Sequence, residues 1–387
     1  MSRQARPAKE ETGRLNSALP ARPARPAPLE EKPAANYLFV SNVRFLSMAA
    51  VVFVHCTTWF VPLTRLDPVG WPVCCLRQPF QFDVIGFFLI SGFLMEKGLT
   101  RWRPAQYMKR RLQRIFLPWL FWYLVYCATM LAGPALHGQF RDHPWASNAR
   151  WILHSLYNYM IGSAYWFIPN LMIALSILLA CRRFLFDLRL GCALLAVSLF
   201  YGLNIHAHWI PLKNHTQALF GFVFYLWLGA WGARNFAAIE ARIARTSALV
   251  LIPPAVLAGL AALLESRMLA AAGDPLPMNV LRISNQVYSI AVVLAIFKLR
   301  QPVWPRVVNV RTNTFGIYLI HPVLRGPLLR LFKQRPFGPF LLQGSSAAAV
   351  CFLLVTFAVI YASSLALAKW LLRHPRLRWM AGGFSSG

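Results

Sequence analysis

The stretch YLFVSNVRFLSMAAVVFVHCTTWF, residues Tyr37–Phe60, decides the fold. It is longer than the ~20 largely apolar residues that a helix needs to cross a bilayer. Two ionisable side chains, Arg44 and His55, interrupt it, and such groups inside a membrane span are costly and point to function. They are eleven positions apart; at ~100° per position they come within ~20° of three whole turns, which puts both on one helix face, ~16 Å apart along the axis. Arg44 then lies near one membrane surface and His55 lies deeper.

Similar runs follow at Phe80–Glu96, Ile115–Leu136, Tyr165–Cys181, Leu188–Leu203, Thr216–Ala233, Ser247–Leu264, Val280–Phe297, Thr312–Leu331 and Ser345–Leu372. With 57% hydrophobic and 13% charged residues and a mean hydropathy of +0.48, the chain is too apolar for a soluble domain. The expectation is an all-α integral membrane protein, a polytopic bundle of about ten transmembrane helices.

A net charge of +28 raises the question of nucleic acid, but that reading needs the basic residues on one soluble face. Here they fill the gaps between apolar runs. Lys97–Arg114, Arg182–Arg189, Arg234–Arg245, Lys298–Arg311 and Arg373–Arg378 are rich in them, whereas the alternate gaps hold Arg65 and Arg77, Arg141 and Arg150, Lys213, Arg267, and Lys333 and Arg335. One assignment, with both termini cytoplasmic, satisfies every gap.

Residues 1–35 lack the apolar core of a signal peptide and read as a disordered basic cytoplasmic tail. Residues 36–372 form the membrane domain, and 373–387 a short cytoplasmic C-terminal tail. No inverted repeat or long hydrophilic segment is evident, so any chemistry falls to the membrane domain. Most of the seven cysteines sit in or beside apolar runs, and their spacing suggests neither a zinc site nor a disulfide framework.

The polar residues within the runs are the candidate site. Asp83 enters the second run from the outer side at roughly the depth of His55. There it either fixes the imidazole tautomer or faces interfacial water. Arg111 and Arg114, three apart before the third run, share a helix face suited to gripping phosphates; as topology anchors they would need only their charge. Thr314, Tyr318, His321 and Arg325 are spaced four, three and four and form one polar stripe, with Pro322 placed to kink the helix. His206, His208 and His215 fall in a short outer loop, where solvation outweighs metal binding.

These residues resemble the membrane acyltransferase 3 family, O-acyltransferases that decorate bacterial surface glycans. The matches are Asn42-Val-Arg44-Phe-Leu with His55 at the family's R-x10-H spacing, Asp83-Val-Ile-Gly-Phe-Phe-Leu-Ile-Ser91-Gly92-Phe, Arg111-Leu-Gln-Arg114 for its RxxR, Tyr165-Trp166-Phe167-Ile, and Thr314-Phe-Gly-Ile-Tyr318-Leu-Ile-His321. The resemblance implies a multi-pass protein of the bacterial cytoplasmic (inner) membrane. It implies an acyl-CoA donor, acetyl-CoA first among them, and a glycan or lipid-linked sugar as acceptor, with no metal. Under it His55, Asp83 and His321 are catalytic, while Arg44, Arg111, Arg114 and Tyr318 bind the donor. With no appended hydrolase-like domain after the last run, the short form that works through membrane helices alone is expected. A transporter or flippase of a lipid-linked sugar would line its path with the same stripes, and a non-enzymatic membrane scaffold is the third reading.

Overall fold

The computed structural model describes residues 37–57, 70–136, 138, 144–212, 214–333 and 346–384. The tail expected over residues 1–35 lies outside them. Among the described residues every regular element is helical, because a helix satisfies its backbone within one segment and needs no partner in hydrocarbon. In order they are α1 (Leu38–Thr57), α2 (Gly70–Arg77), α3 (Asp83–Arg101), α4 (Pro104–Arg111), α5 (Leu117–Leu136), α6 (Trp145–Ile161) and α7 (Phe167–Ala180). There follow α8 (Leu188–Ala207), α9 (Val223–Arg234), α10 (Phe236–Arg245), α11 (Ala248–Ala271), α12 (Ile283–Phe297), α13 (Val310–Lys333) and α14 (Ser346–Arg373).

Each apolar run falls on a helix, but the helices differ in what they can cross. Five are long and apolar enough to span a bilayer alone: α1, the continuous rod Pro104–Leu136, α8, α11 and Ala347–Arg373. The pair α6 and α7, bent at 81°, offers a sixth crossing. α3 carries Asp83, Glu96, Lys97 and Arg101, and α13 continues through Pro322 and Pro327 as one element. α11 turns Leu249, Val250, Ile252, Val256, Leu257 and Leu260 outward, an apolar face that acyl chains solvate and water would not.

Two glycines fix the centre of the bundle. A Cβ on Gly92 of α3 would sit 1.9 Å from the Leu226 carbonyl oxygen, and one on Gly229 of α9 would sit 2.0 Å from the Leu89 carbonyl oxygen. The two backbones therefore touch, which only glycine permits and which compensates for the weak hydrophobic drive between helices in lipid.

Three features depart from a row of straight rods. α6 occupies residues read from the sequence as a loop, and it exposes Trp145, Leu153 and Tyr157. Between α6 and α7 the chain breaks, and the carbonyls of Ala164 and Tyr165 at the break accept hydrogen bonds from the Tyr318 hydroxyl at 2.7 Å and the Trp119 indole at 2.8 Å. The Tyr165 hydroxyl returns the link by donating to the Leu319 carbonyl at 2.6 Å. Such irregular backbone is tolerated at membrane depth only when protein groups satisfy it.

Beyond α14 the short tail packs rather than trailing away. The Trp122 indole donates to the Met380 carbonyl at 2.9 Å, and Trp379 meets Phe121 edge-on. Gly382, at φ 79°, lies so close to Phe315 that a Cβ would come within 2.4 Å of the ring.

Candidate active site

α1 holds Arg44 and His55 on the face turned to the bundle, and each opens on a cavity. The larger, about 250 Å³, is lined by Arg44, Arg111, Arg311, Ser91, Thr314 and Tyr318 among others. The smaller, about 30 Å³, is lined by His55, Asp83, Trp166 and Tyr318. Phe87, Phe167 and Tyr318 belong to both walls, so the two cavities adjoin along the Arg44 to His55 axis.

The cationic end contains one arginine foreseen with the wrong companion. Between α4 and α5, Leu112–Phe116 form a turn of π-helix. Its i→i+5 bonds fit more residues per turn than an α-helix, so residues three apart no longer share a face. Arg111 accordingly lines the cavity, whereas Arg114 is exposed to the surroundings. That corrects the expected shared face. Tyr107 anchors the approach: its ring lies so close to α3 that a Cβ on Gly98 would come within 2.2 Å of it. Its hydroxyl accepts from Arg111 Nη2 at 2.7 Å.

Arg311 takes the place expected of Arg114. In the sequence it reads as one of the topology charges, yet it precedes Thr314 by three and Tyr318 by seven residues and so extends the α13 stripe by one turn. Asn42, near the start of α1, ties the loop before α13 in place, donating to the Gln301 carbonyl and accepting from the Val303 amide, both at 3.1 Å.

At the imidazole end, the His55 and His321 rings lie 5.5 Å apart. His321 Nδ1 meets the Ile317 carbonyl oxygen at 3.1 Å and also interacts with the Tyr318 carbonyl, which Pro322 leaves without its usual amide donor. A carbonyl only accepts, so Nδ1 carries the proton and Nε2 presents a lone pair. Nε2 is buried and has no hydrogen-bond partner among the described residues. His321 is not a wall of either cavity and stands behind His55.

The remaining stripe residues serve neighbouring backbone. Arg325 Nη1 donates to the His55 carbonyl at 2.8 Å, satisfying an orphan carbonyl in the last turn of α1 with a cation suited to that pole. Thr314 donates to the Val310 carbonyl at 2.8 Å, and the Tyr318 hydroxyl is the Ala164 tie already described. Tyr318 thus meets the cavities through its ring. Asp83 shares the small cavity with His55 and accepts from the Val84 amide at 2.8 Å as the first residue of α3. The histidine pattern of residues 206–215 resolves differently: His206, on the last turn of α8, pairs with Glu265 of α11 at 2.8 Å, and His215 packs on Trp166 at 5.3 Å.

Two adjoining cavities, one cationic and one bearing an imidazole, suit a reaction with a charged donor and a proton to remove. Comparison with curated proteins and with solved structures found no match. Residues 37–365 match the acyltransferase 3 family, described as an acyltransferase domain, and with most of the chain covered the protein belongs to that family.

Proposed function

We propose that the protein moves a small acyl group, acetyl in the first instance, from acyl-CoA to a hydroxyl of a surface polysaccharide or lipid-linked glycan. The observation that carries this reading is the shared wall of the two cavities, which sets the Arg44, Arg111 and Arg311 cluster in line with His55. CoA phosphates meet the three guanidiniums through charge-assisted, bidentate bonds. The pantetheine arm then runs past Phe87, Phe167 and Tyr318 toward His55, over the ~16 Å that separate Arg44 from it along a helix.

The acceptor oxygen attacks the thioester carbonyl carbon while His55 takes the hydroxyl proton. As the tetrahedral intermediate collapses, the C–S bond breaks and the imidazolium returns its proton to the leaving thiolate, giving ester and CoA-SH. His321 Nε2, held as an acceptor behind His55, backs that proton transfer. A cavity of about 30 Å³ beside His55 has room for one or two small groups, which suits a two-carbon acyl chain and keeps bulk water from the thioester.

The reading makes separable demands on the two arginines of the RxxR sequence. Arg111→Ala should weaken acetyl-CoA binding on the order of tenfold or more, the scale of a hydrogen bond to a charged group. Arg111→Lys should fall between, keeping the charge and losing the fork. Arg114→Ala should do far less. Acetyl-CoA affinity of the purified, lipid-embedded variants at low and high salt decides the matter, and unchanged affinity in Arg111→Ala would remove that residue from the donor site.

The proposal also needs the donor end to face the cytoplasm, where acyl-CoA is made, with the ten apolar runs crossing and both termini inside. The alternating basic gaps support this. A reporter active only outside the cytoplasm, fused after Trp379, should stay silent; signal from it would reverse the map.

A further inference from the structure

Two buried arginines near the outer end of the site differ in one respect. Arg282, fully buried, has every nitrogen occupied: Nε donates to the Asn279 carbonyl at 2.9 Å, Nη1 to the Ala262 carbonyl and the Ser266 hydroxyl, and Nη2 to the Gln78 amide oxygen at 3.2 Å. It clamps α11 and α12 to the α2 corner. Arg77, 6% exposed at the end of α2, has no such set. Its Nε and Nη1 are buried without a hydrogen-bond partner among the described residues. Four residues on, Gln81 is wholly buried and neither atom of its amide has a partner.

The surroundings of Arg77 explain what is missing. It acts electrostatically on His55, Asp83 and His215, and the His215 ring lies against Trp166, a wall of the His55 cavity. Buried nitrogen of His215 and the adjacent Thr216 hydroxyl also lack partners. Asp83 is the carboxylate set against Arg77, yet no ion pair joins them among the described residues, while Arg325 adds a second cation beside His55. A guanidinium at this depth whose donors lack acceptors is costly, and the neighbouring Arg282 shows that this fold supplies a full set of acceptors where the role is structural. The open donors of Arg77 fit an acceptor that arrives from outside.

We propose that Arg77, with His215 and Thr216, forms an anion subsite that seats a carboxylate or phosphate of the acceptor beside His55, which makes the acceptor an acidic sugar or a sugar phosphate. The assignment rests on the acyl-transfer reading for the identity of the reaction, and on the unpartnered donors for the charge of the ligand. A charge-assisted guanidinium contact selects for such a group over a neutral hydroxyl.

The test uses the full chain in phosphatidylcholine nanodiscs with glucuronate, glucose 1-phosphate and glucose as probes in direct binding measurements. Both acidic probes, or one of them, should bind on the order of tenfold tighter than glucose, which distinguishes a carboxylate from a phosphate source. Arg77→Gln should erase that preference and Arg77→Lys should retain part of it. Equal binding of glucose, no binding of any probe, or an undiminished preference in Arg77→Gln overturns the proposal. If Arg77→Gln fails to fold, the wild-type comparison still decides the charge preference, and an Arg77→Lys variant with wild-type affinity overturns the assignment to this side chain. Repetition with phosphatidylglycerol in the disc separates a lipid source: loss of sugar binding there assigns the anion to a headgroup and overturns the acceptor assignment. Acetyl-CoA binding to the same wild-type particles reports on the acyl-transfer reading alone, so its absence sinks that reading while the anion subsite stands.

Discussion

Replacing His55 by alanine is expected to lower acyl transfer by about 10²–10⁴-fold, the usual contribution of a positioned general base, while the protein still inserts and folds. The imidazole lies on the wall of the small cavity with Asp83 and Trp166. Truncation does not disturb the tie to α13, because Arg325 bonds the backbone carbonyl of His55 and not its ring. Release of CoA thiol from acetyl-CoA by purified protein gives the rate, and an unchanged elution profile and unfolding midpoint show that the fold survives. His321→Ala should cost less, since His321 lies outside both cavity walls. Near-normal transfer by His55→Ala would move the base to His321, whose Nε2 is already held as an acceptor.

Substitution at the α3–α9 contact should have the largest effect on stability. In Gly92→Ala the new Cβ would meet the Leu226 carbonyl oxygen at 1.9 Å, and in Gly229→Ala it would meet the Leu89 carbonyl oxygen at 2.0 Å. Neither neighbour is the far end of a flexible side chain, so the helices themselves must separate. Overpacking of this kind typically costs about 1–3 kcal/mol, and valine in place of alanine should cost more. α3 also carries Asp83, Phe87 and Ser91 to the two cavities, so separation should loosen acetyl-CoA binding as well. Gly133→Ala is the control: open space surrounds its Cβ, and alanine in a helix interior gains about 0.5–1 kcal/mol over glycine. Unfolding midpoints in lipid particles should fall for the first two variants and hold or rise for the third; equal midpoints would show that the close approach is not needed.

The sequence made some of this architecture legible because certain signals are local. Hydropathy marks a helix wherever twenty apolar residues run together, and the spacing of Arg44 and His55 gave their common face by arithmetic. The α13 stripe was readable for the same reason. Arg311 belonged to that stripe and was passed over, because a basic residue in a basic gap is indistinguishable from a topology charge. The π-turn was hidden for another reason: Leu112–Phe116 differ from an α-turn by hydrogen-bond register, which no residue type announces, and it moved Arg114 out of the expected pair. The break at Ala164–Trp166 and the unpartnered state of Arg77 depend on residues far away in sequence, Tyr318 and Trp119 in the first case, and neither is visible to periodicity.

The broken corner between α6 and α7 also sets an order in time. Trp119, which takes the Tyr165 carbonyl, is made before the corner exists. Tyr318, which takes the Ala164 carbonyl, follows 154 residues later. At the usual ~5–20 residues per second of synthesis, the corner waits about 8–30 s half-tied, with the tie from Tyr318 unmade and the Tyr165 hydroxyl without its Leu319 acceptor. Arrival of α13 closes both links together, since it brings the Tyr318 donor and the Leu319 acceptor on one turn. Nascent chains arrested before residue 318 should therefore hold an open corner and an unwalled small cavity, and the helix that closes the corner is the one that completes the site.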